Sequence, residues 1–197
     1  MPFTTDENGA DLTSDEKLQK VRVGEMTPHN GRIALGEYDP AWPRLFAQEA
    51  DRIRDVLGAT ALVVEHVGST SVPGLTAKPI IDILLVVADS ADESSYVPAM
   101  EAAGYVLRIR EPDWFEHRLF KGPDTAINLH VFSAGASEID RMLRFRDWLR
   151  VTEADRDRYV DVKRELAQRV WRHVQHYADA KTAVVQEILD RAAAATR

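Results

Sequence analysis

The chain has 197 residues, 45% of them hydrophobic and 29% charged, a net charge of -7 and no cysteine. That length admits one sizeable core and excludes two full catalytic domains, while the missing cysteines exclude disulfides, cysteine-ligated metals and thiol nucleophiles, leaving oxygen and nitrogen groups for chemistry. The acidic balance opposes general nucleic-acid binding, which needs excess Lys and Arg, and with no apolar leader and no apolar window near the roughly 20 residues of a membrane helix, the expectation is a soluble cytoplasmic protein.

Residues 1–30 carry six acids, three bases and few large apolar side chains, and are expected to form a flexible tail, with Thr13 and Glu16 at capping-box spacing for a short helix. Ile33, Leu35 and Tyr38 predict a short strand ending at Asp39-Pro40, followed by a helix on which Phe46, Ala50, Ile53 and Leu57 recur at helical spacing and which Gly58 ends. Strands are predicted over 61–67 and 80–87, a helix over 92–103 stopped by Gly104, and strands over 105–109, 114–121 and 126–132. The last two are joined as a hairpin through residues 122–125. From Ser137 the pattern is helical, over 137–150, 153–176 and 178–195, with Thr152 placed to cap the second helix. Charge divides likewise: residues 1–136 hold 12 bases and 21 acids (-9), residues 137–197 hold 13 and 11 (+2). The expected organisation is a tail (1–30), an α/β core (31–136) and a slightly basic helical subdomain (137–197) packed on it.

Asp82 interrupts Ile80-Ile81-Asp82-Ile83-Leu84-Leu85-Val86-Val87, the composition of a strand covered on both faces. A carboxylate there needs a cation, a metal or strong donors; it is either a site residue or a strand-start acid paired with Lys78. Before it, residues 68–79 combine Gly68, Gly74, Pro73, Pro79 and the hydroxyls of Ser69, Thr70 and Ser71 with Lys78. Exposed backbone N–H groups in such a stiff loop suit a phosphate, although the segment has neither P-loop nor dinucleotide-fold spacing; an ordinary strand connection is the other reading.

The run Val64-Glu65-His66-Val67-Gly68-Ser69-Thr70-Ser71-Val72-Pro73-Gly74-Leu75-Thr76-Ala77-Lys78-Pro79-Ile80-Ile81-Asp82-Ile83 resembles the signature of the GrpB family, a branch of the nucleotidyltransferase superfamily. Tyr38-Asp39-Pro40-Ala41-Trp42-Pro43, Asn128-Leu129-His130-Val131-Phe132, Phe145-Arg146-Asp147-Trp148-Leu149-Arg150, Tyr159 with Lys163 and Arg164, and Tyr177 with Lys181 extend the resemblance over about residues 33–192. It implies an α/β (α+β) fold: a nucleotidyltransferase-like mixed-sheet core followed by a C-terminal helical subdomain. It also implies a nucleoside triphosphate held with Mg2+ by Gly68, Ser69 and the first acid of a pair, Asp82; the hydroxyl of Thr70, next in the loop, is a further candidate phosphate grip. Leu84 stands where the second acid belongs, and the third acid is missing from the late strand, which offers Asn128 and His130 instead.

The resulting candidates are Asp82 and His130 as catalytic groups, with His130 either a general base or, like Asn128, part of a one-metal site. Asp82 is the principal metal ligand, with Glu65 and Asn128 as further candidates. Lys78, Arg146, Arg150, Lys163 and Lys181 are candidate phosphate grips, each also readable as an ordinary charged surface residue. His66 reads as structural, and Glu116 with Arg118 as a cross-strand ion pair. Two functions follow: a nucleotide-binding enzyme or former enzyme with an unknown acceptor, and a binding or assembly module. GrpB-like domains also occur fused to dephospho-CoA kinase, which points the second toward a partner in coenzyme A synthesis. A third reading fills the pocket with another small anionic metabolite.

Overall fold

The computed structural model describes residues 4–5 and 11–195. Its centre is a five-stranded mixed sheet of β3 (Val63–Val67), β4 (Ile81–Val87), β5 (Val106–Glu111), β6 (His117–Lys121) and β7 (Ile127–Ser133), in the order β3-β4-β7-β6-β5. β4 and β7 run parallel and all other neighbours antiparallel. One face carries Ile81, Ile83, Leu85 and Val87 of β4 with Ile127, Leu129 and Val131 of β7. It is covered by α2 (Trp42–Leu57) and α3 (Val97–Ala102) through Ile53, Leu57, Val97 and Met100.

The opposite face is split, because strand alternation sets Asp82, Leu84 and Val86 side by side with Asn128, His130 and Phe132. Its apolar half, Val67, Leu84, Val86 and Phe132, lies under Ile139, Met142 and Leu143 of α4 (Ser137–Val151). Its polar half, around Asp82, lies in the field of Lys163 on α5 (Glu153–Ala167) and of Lys181, between α6 (Val174–Asp179) and α7 (Thr182–Ala195). The mixed sheet and the following helices expected of a nucleotidyltransferase-like core are thus both present.

Several elements differ locally from the expectation. Residues 33–38 form no strand: Ile33 packs with Leu166, Trp171 and Tyr177, and the backbone pairs only at isolated bridges among the described residues, Gly36 with Ala77 and, just before the segment, Gly31 with Trp171. α2 starts at Trp42, with Asp39 Oδ1 accepting the Ala41 N–H at 2.8 Å and Pro43 in the first turn. The predicted helix over 92–103 is a short turn, Glu93–Ser95, followed by α3 with Pro98 in its first turn. β6 begins only at His117, since Phe115 and Glu116 have φ of 53° and 51°, and Arg118 pairs with Glu93 at 2.6 Å as well as with Glu116 at 3.3 Å. The long helix over 153–176 breaks after Ala167. There Trp171 turns inward, its Nε1 donating to Leu166 O at 2.8 Å while its backbone pairs with Gly31. Thr152 occupies the cap position of α5, but its side chain makes no capping bond.

Of the stretch expected as a tail, residues 1–3 and 6–10 lie outside the described residues. Beyond them β1 (Thr4–Thr5) pairs with β2 (Asp11–Leu12), and α1 (Asp15–Val21) is capped by Ser14 rather than Thr13. Thr13 N–H donates to Asp179 at 2.8 Å, His173 meets Asp15 at 3.0 Å, and Val23 N–H donates to Arg108 O at 2.9 Å. Among the described residues no helix is long and apolar enough to cross a membrane.

Leu84 is fully buried in the cluster beneath α4. Restoring an acid there by Leu84→Asp is therefore expected to lower the unfolding free energy by about 3–5 kcal/mol, the penalty of an uncompensated buried charge. Urea titration checks this, and a variant as stable as the parent contradicts it.

Candidate functional site

β3 ends at Val67 opposite Asp82, and the chain turns through Gly68 into a single helical turn, Ser69–Ser71. Gly68 has φ of 67°, and a Cβ on it would lie 2.3 Å from Asp82 Oδ2. Only glycine combines that backbone conformation with so close an approach to a carboxylate. Ser71 Oγ donates to Gly68 O at 2.6 Å, closing the turn.

Three of the expected phosphate grips are spent on bracing this turn. Arg150 donates to Ser71 O from Nε and Nη2 at 3.0 and 2.9 Å. Arg146 donates from Nη1 to His66 O at 3.0 Å and to Glu65 at 2.7 Å. Thr70 Oγ1 is buried against His66 Nε2 at 3.0 Å. His66 in turn stacks on Phe46 with centroids 4.7 Å apart, and burial pushes it down to about 4, so it stays neutral. These contacts wall a separate cleft of about 420 Å³ on the far side of the turn, lined also by Tyr38 and Pro73.

Asp82 has a different environment. Its Oδ1 accepts from Asn128 Nδ2 at 2.7 Å and lies 3.7 Å from His130 Nε2; Asn128 Oδ1 accepts from Lys121 Nζ. Burial opposes ionisation of Asp82, but His130, Asn128 and Lys78 outweigh it and hold the carboxyl below the usual range. Lys163, 2% exposed, donates to Ser69 Oγ at 2.9 Å and to Thr76 O, and its Nζ stands 5.2 Å from the Tyr159 ring centre. Lys181 and Lys78 lie 4.6 and 5.9 Å from the Tyr177 ring centre.

Burial, with Lys181 as a repelling neighbour, pushes Lys163 down to about 7 while Asp82 opposes the shift. Burial likewise pushes Lys181 down to about 8, and Lys78 and Lys121 are lowered, chiefly by burial. The Tyr177 hydroxyl is buried without a hydrogen-bond partner among the described residues, an arrangement that costs stability unless a ligand or water completes it.

Four ammonium groups therefore share the field of one carboxylate. Such a site attracts anions and repels cations. The structure brings together Gly68, Ser69, Lys78, Asp82, Asn128, His130, Lys163 and Lys181, while Thr70, Arg146 and Arg150 hold the turn from behind. The donors do not fit the Mg2+ that the resemblance implies. Mg2+ wants oxygen ligands, yet Glu65 is paired with Arg146, the Asn128 oxygen faces Lys121, and Leu84 is apolar and buried. Among the described residues no three His, Asp or Glu side chains gather as a metal site. Lys121 escaped the sequence reading. The hairpin is its signal, since antiparallel pairing puts Lys121 across from Asn128 on the Asp82 face.

Arg150→Ala removes both donors from the Ser71 carbonyl and is expected to cost about 1–3 kcal/mol of stability, measured by urea denaturation. An unchanged midpoint and slope would show that Arg150 does not brace the turn.

Residues 32–191 match the family model described as GrpB protein, and the chain belongs to this family. It is 70% identical over 192 residues to a UPF0157 protein of Halalkalibacterium halodurans, with 98% of each chain covered. The crystal structure of the conserved protein GrpB from Enterococcus faecalis is similar at a TM-score of 0.69 and 34% identity, over 81% of this chain and 96% of that one. A dephospho-CoA kinase of Mycolicibacterium paratuberculosis is 28% identical over 212 residues, covering 89% of this chain and 52% of the kinase.

Proposed function

We propose that this GrpB-family chain binds a phosphate-bearing ligand, a nucleoside triphosphate by preference, between the Gly68–Ser69 turn and Lys78, Lys121, Lys163 and Lys181, without a divalent metal. The observation that carries this reading is the convergence of four lysines on one carboxylate beside a glycine turn. Phosphate oxygens accept charge-assisted hydrogen bonds from ammonium groups, and the Tyr177 hydroxyl offers a further donor. The preference for a nucleotide rests on the match of Gly68, Ser69 and Asp82 to the Gly-Ser and first acid of the superfamily's nucleotide site. Asp82 serves here as the counter-charge that lets the lysines lie close together, and His130 is the candidate base beside it. Nucleotidyl transfer through Mg2+ has no support in the donor set, so binding is the function proposed.

Calorimetric titration of ATP, GTP, CTP and UTP in EDTA tests this. At least one is expected to bind, and Lys163→Ala is expected to weaken it tenfold or more, about 1.4 kcal/mol. No binding in EDTA, or equal binding by the variant, contradicts the reading.

The pH dependence has a definite sign. Lys163 and Lys181 bind protons at about 7 and 8 in the free protein. A bound anion favours their charged forms and raises both values. Binding therefore takes up protons, and affinity is expected to fall as pH rises from 6.5 to 8.5 at constant salt. In the free protein the same lysines act with the opposite slope: from about pH 7 toward 10.5 the unfolded chain holds more protons, so the stability penalty of burying them is relieved as pH rises. An affinity that is flat or rises over that range overturns the role of these lysines.

A second reading rests on the 28% identity to part of a dephospho-CoA kinase: the chain acts as an assembly module beside such a kinase. It has no Gly-x-x-x-x-Gly-Lys-Ser/Thr of its own. Gel filtration of the chain mixed with the dephospho-CoA kinase of the same organism discriminates, with co-elution supporting this reading and separate peaks opposing it.

A further inference from the structure

The cleft on the far side of the turn holds polar groups that the lysine site does not use. Its volume of about 420 Å³ is that of a small-molecule site. Tyr38, Pro43, Phe46 and Pro73 give it apolar sides. Its back is closed by Ser71 and by the buried ring of His66, which stays neutral and stacks on Phe46. Glu65, Arg146 and Arg150 supply its charge.

These charges balance. Arg146 lies 2.7 Å from both Glu65 and Asp147, and Arg150 lies 3.5 Å from Asp147, so two guanidinium groups face two carboxylates. Such a set has no net pull on a free anion, unlike the ammonium groups around Asp82. Both signs nevertheless keep hydrogen-bonding capacity. Glu65 receives Arg146 on Oε2, which leaves Oε1 open among the described residues. A guanidinium has five N–H groups. In Arg150, Nε and one hydrogen of Nη2 serve Ser71 O, and one hydrogen of Nη1 lies toward Asp147, so each Nη keeps another. The side chains of Glu65 and Arg150 are 44% and 39% exposed, within reach of a ligand arriving from solvent.

A ligand that completes this cleft brings a cationic donor for Glu65, an acceptor for Arg150 and an apolar body for the walls. Inorganic phosphate would serve Arg150 but meet the repulsion of Glu65, and a purely apolar molecule would leave both open groups unpaired. We propose that the cleft binds a free α-amino acid with an apolar side chain, its carboxylate on the outer N–H groups of Arg150, its ammonium on Glu65 Oε1 and its side chain among Tyr38, Phe46 and Pro73. The planar fork of arginine suits a carboxylate, and the bonds to Ser71 O fix the fork's orientation. Arg146 is a positioning residue: nine-tenths buried and tied to His66 O at 3.0 Å, it holds Glu65 at the cleft. The proposal is independent of the phosphate reading, since the ligand is a net-neutral zwitterion and meets none of the four lysines.

Nitrogen–proton correlation spectra of the ¹⁵N-labelled chain, titrated in phosphate-free buffer at neutral pH with L-phenylalanine, L-leucine and glycine, test this. Phenylalanine and leucine are expected to shift the Arg150 Nε–H signal and the backbone amides of His66 and Ser71 saturably, whereas glycine, with no side chain to bury, leaves them unmoved. N-acetylphenylalanine lacks the ammonium and phenylalaninamide lacks the carboxylate, and each is expected to bind about fivefold more weakly, the upper end for ion pairs reached by solvent. Glu65→Gln, whose fold the same spectra report, is expected to weaken phenylalanine by a similar factor. No saturable shift with phenylalanine or leucine overturns the proposal, as do shifts confined to residues around Asp82. Equal binding by either capped form, the behaviour of a site for a peptide end, or by Glu65→Gln also overturns it.

Discussion

The arrangement depends on one constraint: a carboxylate placed on a strand that is otherwise buried on both faces. Asp82 sits at the start of β4, between β3 and β7, with its side chain partly exposed. A charge in that position must be met by donors and cations. The groups that meet it come from different parts of the chain: Asn128 and His130 from the parallel neighbour, Lys78 from the preceding loop, and Lys163 and Lys181 from the helical half. The close approach of Gly68 to Asp82 then fixes where the turn lies.

Arginine and lysine divide the work according to their chemistry. Arg146 and Arg150 present planar forks and bind backbone carbonyls of the β3 end and the turn, a geometry that lysine does not reproduce. The lysines lie nearer Asp82, where burial makes their charge sensitive to what else occupies the cleft. The turn is therefore rigid from behind and adjustable in front. Beside Asp82, the row Glu111, His117 and His130, held by hydrogen bonds and by stacking of His117 on Phe132 and His130, runs across β5, β6 and β7.

Much of this was legible in the sequence. The apolar run broken at Asp82 identified the central strand, and Gly68-Ser69 with Lys78, Lys163 and Lys181 marked groups that the fold does bring together. The resemblance placed the mixed sheet and the following helices. Charge alone could not separate Arg146 and Arg150 from the lysines, because a side chain's partner is decided by tertiary geometry: both arginines lie within reach of carbonyls that a β3 terminus leaves open. The break at 168–173 was hidden because Trp171 fits a helical pattern as well as it fits an inward turn. His117 carried no signal of its own in the sequence; only the strand pairing makes it the neighbour of His130.

The proposed role of Asp82 as a counter-charge to lysines, rather than a metal ligand, is the claim on which the account turns. Calorimetry of a nucleoside triphosphate with Asp82→Asn, run in EDTA and again in excess Mg2+, tests it most directly. Removing the carboxylate's charge while keeping its shape leaves the lysines uncompensated, so the account predicts tighter binding than the parent in EDTA and no gain from Mg2+. Binding that requires Mg2+ in the parent and vanishes in the variant would contradict it.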